Sequence, residues 1–167
     1  MRLYHGTDVK FNLPKLEKCN RYTDFGKGFY LTHELERAKE WGKNHTPSKY
    51  YVNVYEIADD YINELRQHGF NILQFQEATA EWAEFVYKNR HDESFRHDYD
   101  IVIGPVADNS LQIMFARMLR ENLSFTDIAP LIQYKRFKKP QICFCTQRTI
   151  NLLKYIQRND YSNRTSR

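Results

Sequence analysis

Four short stretches hold residue types that can do chemistry: His5 in "YHGT", Tyr30 in "TDFGKGFYLT", Trp41 in "AKEWG" and Gln141 in "PQICFCT". The glycine-rich stretch invites a phosphate-binding reading, and spacing rejects it. No GxxxxGK[ST] is present, and Leu31 stands where GxGxxG requires its third glycine. Gly26 and Gly28 instead read as a tight turn feeding a strand-like "FYLT" that holds Tyr30 in a fixed direction. An ordinary turn before a core strand would look the same. Taken singly, His5 also fits a structural histidine and Trp41 a core position. Their order and offsets as a set make them candidates.

The elements that must position these residues come from a chain of 167 residues, enough for one domain with its own core. Residues 1–157 read as a single unit, without repeats or a low-complexity linker. The three cysteines, Cys19, Cys143 and Cys145, lack zinc-type spacing and read as reduced thiols, so no metal is expected. Cys143 and Cys145 fall on one strand face as packing residues. The opening "MRLYHGTDVK" has no apolar core of a leader, and no run nears the roughly 18 apolar residues of a membrane span. A soluble, cytoplasmic protein without a membrane partner is the expectation.

Net charge is +4, unevenly spread. From Lys135 onward there are nine Lys or Arg against one Asp. That end invites a polyanionic partner or forms a solvated basic face. Residues 158–167 read as a disordered basic tail.

"RLYHGT" reads as a first strand and "THELERAKEWGKN" as a helix with Leu35, Ala38 and Trp41 recurring and Thr32 as a cap. "YYVNVYEI" alternates like a strand, and "TAEWAEFVYKNR" puts Trp82, Phe85 and Val86 on one helical face. "YDIVIGPVAD" reads as a buried strand ending in a Gly-Pro turn. Asp100 and Asp108 flank its centre as caps or as substrate-positioning groups. Helical spacing then links Leu111, Phe115, Met118 and Leu119. "QICFCT" reads as the final strand and "RTINLLKYI" as a closing helix. Strands and helices mix without strict alternation, which predicts an α+β domain.

Together the four motifs resemble those of the ADP-ribosyltransferases of the poly(ADP-ribose) polymerase type and their bacterial toxin relatives, whose signature is a His, a Tyr and a Glu or variant on three strands. "HG" after a short strand matches the first motif, and "FGKGFY" followed by Trp41 matches the second. "PQICFCT" matches the third, with Gln141 where the polymerases have Glu, and Ala38 stands where they place a serine. Residues 61–122 are more similar to a small bacterial family of compact domains, often paired with an antitoxin-like partner, in which "YDIVIGPVADN" recurs.

The resemblance implies a split antiparallel β-core with flanking helices and NAD as substrate. It implies catalytic roles for His5, Tyr30 and Gln141, and NAD contacts from His5, Gly6, Thr7, Gly28, Tyr30 and Trp41. Tyr30 and Trp41 would sandwich the cationic nicotinamide ring. Gly6 would meet the carboxamide through its backbone, His5 the adenosine ribose, and Gln141 the nicotinamide ribose. Cleavage of the nicotinamide–ribose bond passes through an oxocarbenium-like state, so rigid holding matters. A neutral amide at 141 offers only a dipole to that charge, which disfavours polymer elongation. Mono-ADP-ribosylation of a protein or nucleic acid, NAD hydrolysis, or NAD or ADP-ribose binding without turnover are the outcomes left. A plain nucleic-acid-binding module is the competing class. The bacterial relatives further imply a toxin with a cognate antitoxin.

Overall fold

The computed structural model describes residues 1–46, 48–107, 109–132 and 139–162. Strand β1 covers Arg2–Thr7, β2 Phe29–Thr32, α1 Leu35–His45 and β3 Lys49–Glu56. Helix α2 covers Tyr61–Gln67, β4 Ile72–Gln74, α3 Ala80–His91 and β5 Ile101–Gly104. Next come α4 at Asn109–Glu121, α5 at Phe125–Ile128, β6 at Gln141–Phe144, α6 at Gln147–Ile150 and β7 at Lys154–Ser162. All seven strands join one mixed sheet in the order β4-β5-β6-β2-β1-β3-β7, parallel only between β4 and β5. The architecture is α+β.

Alternation along the strands sorts side chains into two cores, one on each face. Phe29, Leu31, Ile101, Ile103, Ile142 and Phe144 join Tyr55, Tyr61 and Leu65 in one. Val102 and Cys143 face the other way and pack with Phe25, Trp82, Val86, Leu111 and Phe115. Of the helical stripe on α4, Leu111, Phe115 and Met118 are buried, whereas Leu119 is 66% exposed. Leu119 lies at the edge of the stripe, one position past Met118, where the helix turns back to solvent.

The sheet is nearly divided in two. Six registered pairs join β1 to β3, four join β2 to β6, and a single pair, Tyr4 with Thr32, joins β1 to β2. Beyond that pair the two central strands diverge toward Thr7 and Phe29.

Three expectations need correction. The closing helix is one turn, α6, and "KYI" begins β7, because eight registered pairs with β3 outweigh the local leucine pattern. Tyr50 stacks on Tyr161 at 5.3 Å across that pairing, and Tyr55 meets Tyr155 edge-on at 5.9 Å. The same strand runs through Ser162, so the tail expected to be disordered from 158 is ordered that far, and 163–167 lie outside the described residues. Thr32 does not cap α1: it is the last residue of β2, fully buried, and its hydroxyl accepts the amide of Glu34, the residue just before the helix, at 3.1 Å. Among the described residues no helix is long and apolar enough to cross a membrane.

Candidate functional site

A cavity of about 820 Å3 opens where β1 and β2 separate. His5, Gly6, Thr7, Gly28, Tyr30, Trp41 and Gln141 all line it. Each is delivered by a different local cause.

His5 lies on β1 just past the last pair with β2. Its Nδ1 stands 2.7 Å from the Tyr30 carbonyl oxygen, and its ring packs 4.3 Å from that of Phe29. A carbonyl only accepts, so Nδ1 carries the proton and Nε2 is left as an acceptor. Burial lowers the imidazole to about 4, against the partial support of that hydrogen bond, so the ring is neutral at neutral pH. Gly6 packs against the turn of α1 at Ala38. The Thr7 hydroxyl accepts the Val9 amide at 3.1 Å, which turns the chain out of β1 and over the cavity.

The glycine turn works by two different means. Gly26 has φ +76°, the left-handed region open to glycine, and its amide donates to the Thr23 carbonyl. Gly28 has no such angle. Its place is dictated by β6, since a Cβ there would fall 2.2 Å from the Cys143 sulfur. The Tyr30 hydroxyl reaches back into the turn, accepts the Phe25 amide at 2.8 Å, donates to the Gly26 carbonyl at 3.0 Å and meets the Thr23 hydroxyl at 2.7 Å. Burial pushes its phenol well above the ordinary range. Tyr30 is therefore a brace with an aromatic face, not a proton donor to a ligand.

Phe25 stacks on Tyr30 with ring centroids 6.3 Å apart, and the Arg37 guanidinium lies 5.4 Å over Trp41. Each of the two candidate aromatic rings thus has a protein neighbour against one face.

Gln141 begins β6 and is 3% exposed. Its Nε2 donates to Asp24 Oδ2 at 2.7 Å and to the Pro105 carbonyl at 3.2 Å. Asp24 and its partner Arg90 are the members of the site that sequence reasoning missed. Asp24 Oδ1 accepts from Arg90 Nε at 3.0 Å and also from Nη2, while Oδ2 accepts the Ala107 amide at 3.1 Å. Asp24 stood inside "TDFGKG" and was readable as a polar residue at a turn. Nothing local pointed to Arg90, which arrives from α3.

Lys10, Lys15 and Lys18 stand exposed at the cavity, and Asp24 is the one carboxylate in its described lining. The positive charge of the site thus comes from the loop after β1. Of the basic residues described beyond Lys135, namely Lys139, Arg148, Lys154 and Arg158, none lines it. Asp100 is also elsewhere: it holds Arg148, Thr146 and the Asn71 amide together beneath β5. Asp108 lies outside the described residues. Cys143 and Cys145 are free thiols with sulfurs 3.5 Å apart, Cys143 in the core. No cluster among the described residues has the make-up of a metal site.

A family model described as "Protein of unknown function (DUF3990)" matches residues 1–155. No curated protein and no solved structure matches the chain.

Proposed function

The chain belongs to that DUF3990 family, and we propose that it is an NAD-dependent mono-ADP-ribosyltransferase acting on a macromolecule. One observation carries the reading: seven residues singled out from four separate stretches of sequence line a single cavity at the split of the sheet. The volume suits a ligand of dinucleotide size. Neutral His5 offers Nε2 as an acceptor for a ribose hydroxyl. The open faces of Tyr30 and Trp41 suit a cationic ring. Lys10, Lys15 and Lys18 suit the diphosphate. Gln141 lines the cavity beside Asp24 of the braced turn, where an amide can hold the second ribose as the glycosidic bond breaks. Departure of nicotinamide leaves the oxocarbenium carbon to an acceptor nucleophile, and the acceptor proton leaves to solvent or to a basic group.

The test is incubation of the purified protein with NAD labelled on the adenylate part and a cell lysate, followed separately by protease and nuclease. Label lost to protease identifies a protein acceptor, and label lost to nuclease a nucleic acid. Free nicotinamide with no labelled macromolecule makes the protein a glycohydrolase. No nicotinamide release overturns the reading. As a toxin with a cognate antitoxin, the chain expressed alone in a bacterial cytoplasm is expected to arrest growth, and Gln141→Ala to relieve the arrest; vigorous growth with abundant soluble wild-type protein would count against a toxin.

A further inference from the structure

We propose that Asp24 is a positioning residue that fixes the amide of Gln141 in one orientation, so that the cavity meets the Gln141 carbonyl oxygen and not its NH2 group. The functional consequence rests on the reading above; the orientation itself does not.

Gln141 Nε2 has two neighbours, the Asp24 carboxylate at 2.7 Å and the Pro105 carbonyl at 3.2 Å. Asp24 is itself held as an acceptor by Arg90 and by the Ala107 amide, and a peptide carbonyl has no proton to give. The reversed amide would press Oε1 against two oxygens. Only one orientation satisfies the pair, and the chemistry of the partners, not the shape of the side chain, selects it.

Both protons of the Gln141 amide then point into the protein. Its Oε1 takes no hydrogen bond from any described residue, although the side chain lines the cavity. The site therefore presents an acceptor at 141, which selects a ligand bringing a donor, such as a sugar hydroxyl. Asp24 also explains the residue type at 141. A glutamate there would face a carboxylate at hydrogen-bond distance, and two such groups cannot both ionise near neutral pH without a large cost. Carboxylate at 24 and amide at 141 form a complementary pair.

The pair can be exchanged. Three variants are compared with wild type: Asp24→Asn, Gln141→Glu and the double variant Asp24→Asn/Gln141→Glu. The introduced asparagine can donate to Gln141 Oε1 and turn the amide, so Asp24→Asn is expected to lower kcat for nicotinamide release at least about tenfold with KM for NAD nearly unchanged. Gln141→Glu alone is expected to lose activity similarly. The double variant restores one amide-to-carboxylate bond with the roles swapped and is expected to recover part of the lost rate, the Ala107 amide and the Pro105 carbonyl being left without matched partners. Folded single and double variants that are equally impaired would overturn the functional part.

The orientation is read independently on 15N-labelled protein. The Gln141 side-chain amide resonances, identified by their loss in Gln141→Ala, are expected to exchange slowly with solvent in wild type and to shift and lose that protection in Asp24→Asn. Resonances indifferent to Asp24→Asn overturn the proposal even if the protein is an active transferase. Resonances that respond, in a protein that never releases nicotinamide, sustain the positioning role and overturn only the transferase reading. If Asp24→Asn does not fold alone, the double variant is expected to fold, and its failure to do so counts against the pair.

Discussion

The imidazole of His5 and the main-chain oxygen of Tyr30, 2.7 Å apart, tie together two strands that share a single backbone pair. A side chain does here what a ladder of peptide bonds does elsewhere in the sheet. The proton that makes the tie sits on Nδ1 of a neutral ring, and this sets the pH behaviour.

His5 binds its second proton only near pH 4 in the folded chain, but near 6.5 when unfolded. Below 6.5 the unfolded state takes up a proton that the native state refuses, so stability falls as pH drops from 6.5 toward 4 and levels off below. The loss is at most about 3 kcal/mol. Urea midpoints measured at pH 7.5, 6 and 5 should decline more steeply for wild type than for His5→Gln. Parallel slopes would show that His5 titrates normally.

Tyr30→Phe removes the brace on the turn and leaves the Phe25 amide without its partner. We expect a cost of about 1–3 kcal/mol, the penalty of an unsatisfied buried donor. Denaturant unfolding measures it. A variant as stable as wild type would mean that water or the Thr23 hydroxyl replaces the phenol at no cost.

Trp41→Ala should leave the fold intact, since the ring is only half-buried, and weaken NAD binding by about 1–2 kcal/mol. Calorimetric titration of the folded variant decides this. An unchanged Kd removes Trp41 from the ring-binding face.

Replacing Lys10, Lys15 and Lys18 together by Gln should weaken NAD binding and flatten its dependence on salt, because the three ammonium groups are exposed and screened. Nicotinamide riboside, which lacks the diphosphate, should bind wild type and triple variant alike. Equal losses for both ligands would mean that the lysines act through the loop and not through phosphate.

Much of the site was legible in sequence because its parts are local. The turn at Gly26, the direction of Tyr30 and the helix carrying Trp41 each follow from a few adjacent residues. What joins them was not. Asp24 has no periodicity, and Arg90, which holds it, sits 66 residues away on a helix whose apolar face gave no hint of a polar partner. The fold shows the same division. Alternation identified β3 and an unbroken apolar run identified β5, while "NLLKYI" looked helical because β7 owes its form to β3, a partner far along the chain. Charge counting spoke to the chain's basic end and not to the cavity: Lys154 and Arg158 lie on the outer strand β7, and the lysines that line the cavity, Lys10, Lys15 and Lys18, come from the loop after β1.

The single pair between Tyr4 and Thr32 also bears on the order in which the chain acquires its shape. Strand β2 is synthesised early, yet four of its registered partners lie on β6, near the far end of the sequence. Until β6 emerges, Tyr30 belongs to a strand with almost no neighbour, and the wall holding Gln141 does not exist. Contacts so distant along the chain are slow to find one another. The pocket is therefore among the last parts to assemble, and a nascent chain lacks its Gln141 wall until β6 has left the ribosome.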